Sequence, residues 1–144
     1  MRHRVKRNKL NRYATHRNAL LKNMARSLFE EGSIITTTAK AKTVRPVVEK
    51  MLTKAIKANQ TEDPTVKMAL SREINKNFND RKLVAKIVNE IAPKYADRNG
   101  GYTRILKIGF RRGDASEMSL FQLLPIESDK KEEVKTEAKI EEKK

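Results

Sequence analysis

His3 and His16 are the two imidazoles of the chain, and neither has the company a catalyst needs. Both sit among cations, and no carboxylate stands close in sequence to orient either as a base. No serine lies in a nucleophile-elbow context, and there is no Walker loop or dinucleotide fingerprint. Two histidines and scattered acids show no metal-ligand spacing, so no cofactor is expected. Arg112-Gly113-Asp114 matches a cell-adhesion tripeptide, yet in a basic, cysteine-free chain it reads as a hairpin loop turning on Gly113. These residues describe a protein that is not an enzyme.

The chemistry lies in the cations. Arg2, Arg4, Lys6, Arg7, Lys9 and Arg12 fall in the first twelve residues, with His3 among them, and no carboxylate appears before Glu30. Fixing that stretch costs about 12–24 kcal/mol of backbone entropy, and burying Val5 and Leu10 returns only about 1.5–3 kcal/mol each. Six contacts to phosphates, at about 1.5–3 kcal/mol each, supply about 9–18 kcal/mol. The segment therefore needs a partner dense in negative charge to order it. Extended, it would reach about 40 Å, and the arginine forks suit bidentate contacts to phosphate. Asn8, Asn11 and Asn18 add amides for bases or sugars, while Tyr13 and His16 offer rings for an unpaired base.

Two further clusters follow. Lys40, Lys42 and Arg45 stand directly after a β-branched segment, with Lys42 and Arg45 spaced to share a helix face. Arg98, Arg104, Lys107, Arg111 and Arg112 flank Tyr102, on an expected sheet edge and its turns. The candidate polyanion contacts are thus Arg2, His3, Arg4, Lys6, Arg7, Lys9, Arg12, Thr15, His16, Arg17, Asn18, Lys22, Lys40, Lys42, Arg45, Arg98, Arg104, Arg111 and Arg112.

Composition points the same way. The chain has 144 residues and a net charge of +15, and its last eighteen residues hold six Lys against seven Asp/Glu. The other 126 residues therefore carry a net +16, the electrostatic footprint of a nucleic-acid binder. Anionic membrane is a poorer match, because Trp is absent and residues 1–12 hold no aromatic ring. No apolar run is long enough for a span, and the basic start lacks the apolar stretch of a signal peptide. An organellar presequence is disfavoured by the absence of Ser from residues 1–26. The lack of cysteine fits a reducing compartment.

The elements that must position these groups can be read from periodicity. Leu21, Met24, Ala25, Leu28 and Phe29 predict a helix over 13–31, with Thr15 as its cap, Gly32 as its stop, and Arg17, Lys22 and Arg26 on the opposite face. Residues 33–38 predict a strand. Val44, Val47, Val48, Met51, Leu52, Ala55 and Ile56 line a second helix, which either begins near Arg45 or is kinked by Pro46. Pro64 opens a third helix. Asp80 caps a fourth, which Pro93 ends. Strands over 102–110 and 118–124 form a hairpin. The expected fold is α+β: a two-layer sandwich of a small mixed three-stranded sheet covered by about four helices. Residues 1–12 form a basic arm, 13–126 a single domain, and 127–144 a disordered Glu/Lys tail.

Four stretches also carry a resemblance. "MRHR" at the start, "THRNALLKNMARSL" at 15–28, "TTTAKAKTVRPVVEKML" at 36–52 and "GGYTRILKIGFRRGDASEM" at 100–118 resemble, in that order, the bacterial large-subunit ribosomal protein seventeen family. The likeness spans nearly all of residues 1–125 and leaves out the tail. It implies a structural constituent of the large subunit near the peptide-tunnel exit, a monomer in the cytoplasmic ribosome. Its implied partners are large-subunit ribosomal RNA and neighbouring ribosomal proteins, with no membrane. The resemblance also implies RNA contacts at the matching positions Arg2, His3, Arg4, Thr15, His16, Arg17, Lys40, Lys42, Arg104 and Arg112. The alternative is a sequence-tolerant DNA-binding or nucleoid protein. It lacks a helix-turn-helix signature, since a strand separates the first two expected helices.

Overall fold

The computed structural model describes residues 8–124. The expected tail and the first seven residues of the arm lie outside that range. The order is α1 (Ala14–Glu31), β1 (Ser33–Thr37), α2 (Thr38–Gln60), α3 (Pro64–Phe78), α4 (Arg81–Lys86), β2 (Thr103–Phe110) and β3 (Glu117–Leu123). After α4 the chain continues through a π turn, Ile87–Ile91, and a 3-10 turn, Ala92–Tyr95.

The sheet has the order β1-β3-β2, and both ladders are antiparallel. The α+β architecture is as expected, but the sheet is not mixed. β1 and β2 do run parallel to each other, yet β3 enters between them, so each neighbouring pair is antiparallel. In register, Ile34, Phe121 and Ile105 stand side by side. Phe121 is buried, which places that row beneath the helices. The alternate row of Ile35, Leu120 and Leu106 faces away from them, leaving Ile35 and Leu106 exposed.

The core is built from α2. Ala41, Val44, Val48, Leu52 and Ala55 repeat at three- and four-residue spacing and are fully buried. Ile74 of α3 and Ile87 of the π turn complete it, and Phe29 meets Phe78 edge-on at 5.9 Å. Gly32 stops α1 as expected: its left-handed backbone lets its N–H donate to the Leu28 carbonyl.

Two helix boundaries depart from expectation, at α1 and at Pro93. Tyr13, not Thr15, occupies the N-cap of α1, and its side chain makes no capping bond. Of the two alternatives for α2, the helix takes the one that runs through Pro46: it starts at Thr38, directly off β1, and not near Arg45. Asp80 caps α4 as read, accepting from the N–H groups of Lys82 and Leu83. Pro93 does not end that segment, because it lies in the 3-10 turn near its start, where a missing N–H costs little. The intervening widening is visible in the Ala92 N–H, which donates to the Ile87 carbonyl.

Candidate nucleic-acid interface

The described root of the arm does not run extended. Leu10 and Asn11 both have left-handed backbone (φ 54° and 50°), and the Arg12 N–H donates to the Lys9 carbonyl at 3.1 Å. The chain therefore doubles back just before α1. Asn8 is tied to α2, its Nδ2 donating to Thr43 Oγ1 at 3.3 Å, while that hydroxyl donates to the Ala39 carbonyl at 2.7 Å. Beside this tie, α1 and α2 leave a groove of about 420 Å³. Arg17, Asn18, Lys42, Thr43 and Lys50 line it with Asn8, over a floor that includes Leu21 and Val47. The arm root, the first helix and Lys42 of the second cluster thus meet in one place.

The third cluster partly joins them. The hairpin loop between β2 and β3 lies at the end of the sheet where β1 passes into α2, because Thr37 pairs with Met118 and Phe110 with Glu117. Thr38 reinforces that corner, its buried hydroxyl lying 2.6 Å from Ser119 Oγ and donating to the Glu117 carbonyl. The Glu117 carboxyl is held below its usual range, first by Lys107 at 2.6 Å, then by the Thr38 hydroxyl, with Lys42 contributing through space. Lys42 of the groove and Arg112 of the loop therefore belong to one end of the molecule.

Arg98 and Arg104 do not. Arg98 lies before β2, toward the opposite end of the sheet, with Nη1 donating to the Gly101 carbonyl at 3.4 Å. Arg104 pairs with Gln122 on the face away from the helices. Tyr102, expected on a sheet edge, is buried and packs edge-on against Tyr95 at 5.7 Å, so it serves the core.

The cations also differ in what already holds them. Arg45 pairs with Glu49 at 3.0 Å, and that carboxylate also accepts from the Thr103 hydroxyl at 2.9 Å. Arg111 grips Asp114, Nε to Oδ1 at 3.0 Å with a second bond from Nη2. Lys22 donates to the Lys76 carbonyl at 3.4 Å. Arg26, on the same helix, pairs with Asp80. Lys9, Arg12, Arg17, Lys40, Lys42, Arg104 and Arg112 have no carboxylate within salt-bridge distance among the described residues. Thr15, His16 and Asn18 lie exposed along the first turns of α1. Arg2, His3, Arg4, Lys6 and Arg7 lie outside the described residues.

Lys50 was not foreseen as a candidate. Its signal was present in the spacing, since Lys42, Pro46 and Lys50 follow one another at i, i+4 and i+8 and all line the groove. Among the described residues no cluster of three or more His, Asp or Glu could hold a metal, and no helix is long and apolar enough to cross a membrane.

The described residues thus form a small α+β domain with a cation-lined groove and a basic hairpin. Residues 20–124 match the family model described as Ribosomal protein L17. The chain is 71% identical over 127 residues to the large ribosomal subunit protein bL17 of Petrotoga mobilis, covering 88% of this chain and 99% of that protein. It is 55% identical to bL17 of Kosmotoga olearia, covering 90% and 97%, and 44% identical to bL17 of Campylobacter lari, covering 86% and 99%. The chain belongs to the ribosomal protein L17 family, and it is a ribosomal protein, not an enzyme.

Proposed function

We propose that the chain is a structural constituent of the large ribosomal subunit that binds large-subunit ribosomal RNA. The groove between α1 and α2 and the hairpin end of the sheet would be the folded part of the contact. The observation that carries this reading is Arg17, Lys42 and Lys50 lining one groove beside the root of an acid-free segment. Cations without carboxylate partners are free to displace counterions from phosphates. Arg45 and Arg111, already ion-paired, would contribute by their remaining N–H donors. Arg98 and Arg104 would be separate, weaker contacts. A seat near the peptide-tunnel exit, neighbouring ribosomal proteins as further partners, a single copy per ribosome and a cytoplasmic location rest on family membership.

Binding to in vitro transcribed large-subunit ribosomal RNA tests the reading. Neutralising about 6–10 phosphates makes affinity fall roughly 10³–10⁵-fold between 50 and 200 mM salt. The triple variant Arg17→Gln/Lys42→Gln/Lys50→Gln should bind more weakly and flatten the log–log salt slope by about 2–3. An unchanged slope would remove the groove from the interface. Stronger competition by duplex DNA than by ribosomal RNA would favour a nucleoid-type protein instead.

A further inference from the structure

The chain has seven aromatic side chains, three Tyr and four Phe. Phe29, Phe78, Tyr95, Tyr102 and Phe121 are buried in the core. The other two stand almost wholly in water: Tyr13 is 87% exposed and Phe110 77%. Each adjoins arginine in sequence, Arg12 before Tyr13 and Arg111-Arg112 after Phe110.

Phe110 is also displayed by a stiff support. β2 carries a bulge between Lys107 and Gly109, where Gly109 adopts a positive φ of 149° that other residues rarely take. A bulge bends and twists a strand, re-aiming the residues beyond it. Past Phe110 the loop is cross-linked: the Arg111 N–H donates to the Ser116 carbonyl at 2.9 Å, and the Ala115 N–H to the Arg111 carbonyl at 3.0 Å. The Arg111–Asp114 pair closes it, and Ser116 Oγ donates to Asp114 Oδ2 at 2.8 Å. Arg112 is left without a carboxylate partner among the described residues. A ring held out on a rigid turn beside a free guanidinium combines a flat apolar face with a phosphate contact, and loses little entropy on binding.

We propose that Phe110 and Tyr13 are stacking platforms for unpaired RNA bases. The RNA partner would present single-stranded nucleotides at the hairpin tip and at the start of α1, while the groove of α1 and α2 takes phosphates. This rests on the ribosomal-RNA reading and narrows it: the protein reads loops or bulges, where bases are free to stack, and not only duplex backbone. An apolar seat on a neighbouring protein is the competing occupant. The flanking arginines and the lack of any exposed carboxylate beside Arg112 other than the ion-paired Asp114 favour RNA.

The test compares Phe110→Leu and Phe110→Trp with the parent in binding to transcribed large-subunit ribosomal RNA at fixed salt. Leu keeps apolar bulk and removes the π face. It should weaken binding about tenfold, roughly 1.4 kcal/mol, with an unchanged salt slope, while Trp stays within about twofold of the parent. Tyr13→Leu should behave as Phe110→Leu does. Parental affinity in both Leu variants would overturn the stacking role while leaving the phosphate interface intact. Equal losses in Leu and Trp would overturn it too, by showing that shape and not the ring matters. Normal RNA affinity with poor retention of Phe110→Leu in assembled subunits would assign the ring to a protein neighbour. A parent protein that fails to bind the RNA would overturn the ribosomal-RNA reading itself.

Discussion

Arg26 Nη2 lies 2.8 Å from Asp80 Oδ2, while the other oxygen of the same carboxylate accepts the N–H groups of Lys82 and Leu83 at 3.0 and 3.2 Å. One side chain thus caps α4 and ties it to the middle of α1, fifty-four positions away. Cations that look alike in the sequence are therefore of two kinds. Arg26, Arg45 and Arg111 are ion-paired within the fold, and Arg17, Lys42 and Arg112 have no carboxylate partner among the described residues.

Substitutions at Asp80 separate its two bonds. Asp80→Ala should cost about 1–2 kcal/mol in urea denaturation, most of it the lost cap. The ion pair, about one-third exposed on each side, adds only a few tenths. Asp80→Asn retains a capping oxygen and should cost less than half as much. Equal losses in the two variants would show that the ion pair, not the cap, dominates.

The Thr38–Ser119 contact is the polar joint of the hairpin corner. Thr38→Val keeps the shape but strands the Ser119 hydroxyl in the core, and should cost about 1–3 kcal/mol. Adding Ser119→Ala should recover part of that loss, since both partners are then gone. A double variant as unstable as the sum of the singles would refute the coupling.

Pro46 removes the bond that residue 46 would otherwise donate within α2. Pro46→Ala should raise the chemical denaturation midpoint. The helix gains about 3 kcal/mol in intrinsic preference, offset by about 0.4–1 kcal/mol of extra unfolded-state entropy. Destabilisation would mean that the ring packs in the groove wall more tightly than its exposure suggests.

The ion-paired Asp114 should keep the hairpin loop closed into the acid range. The Arg111 guanidinium, then the Ser116 hydroxyl, hold its carboxyl well below the usual carboxylate range. A depressed folded-state pKa stabilises above the unfolded value, near about 4, and that contribution is lost only as pH falls through the folded value. A carboxyl NMR titration should therefore show no Asp114 inflection near pH 4. In Arg111→Gln the inflection should move up toward about 3.9. An inflection near 4 in the parent protein would contradict the loop geometry.

What was legible in the residues were the local signals. Gly32 and Asp80 mark their helix ends because each acts within one turn, and the alternate apolar spacing of α2 needs no distant partner. Even the Arg45–Glu49 and Arg111–Asp114 pairs were available at i+4 and i+3. The contacts that spacing cannot reveal join distant positions: Thr38 to Ser119, Arg26 to Asp80, and Asn8 to Thr43. The antiparallel sheet was misread for the same reason, since nothing local says that β3 enters between β1 and β2. The start of α2 stayed open between two alternatives because Pro46 carries a strong breaker signal, which the flanking helix overrides. For the candidate interface, charge density was visible early, but which cations remain available depended on the fold.

The Asn8–Thr43 bond joins the described root of the basic segment to α2. Arg2 stands six residues before Asn8, so it can act no farther than about 20–22 Å from that anchor. On the proposed reading, each phosphate held in the groove would raise the effective concentration of its neighbours for the segment, so the two would bind as linked modules and not as independent sites.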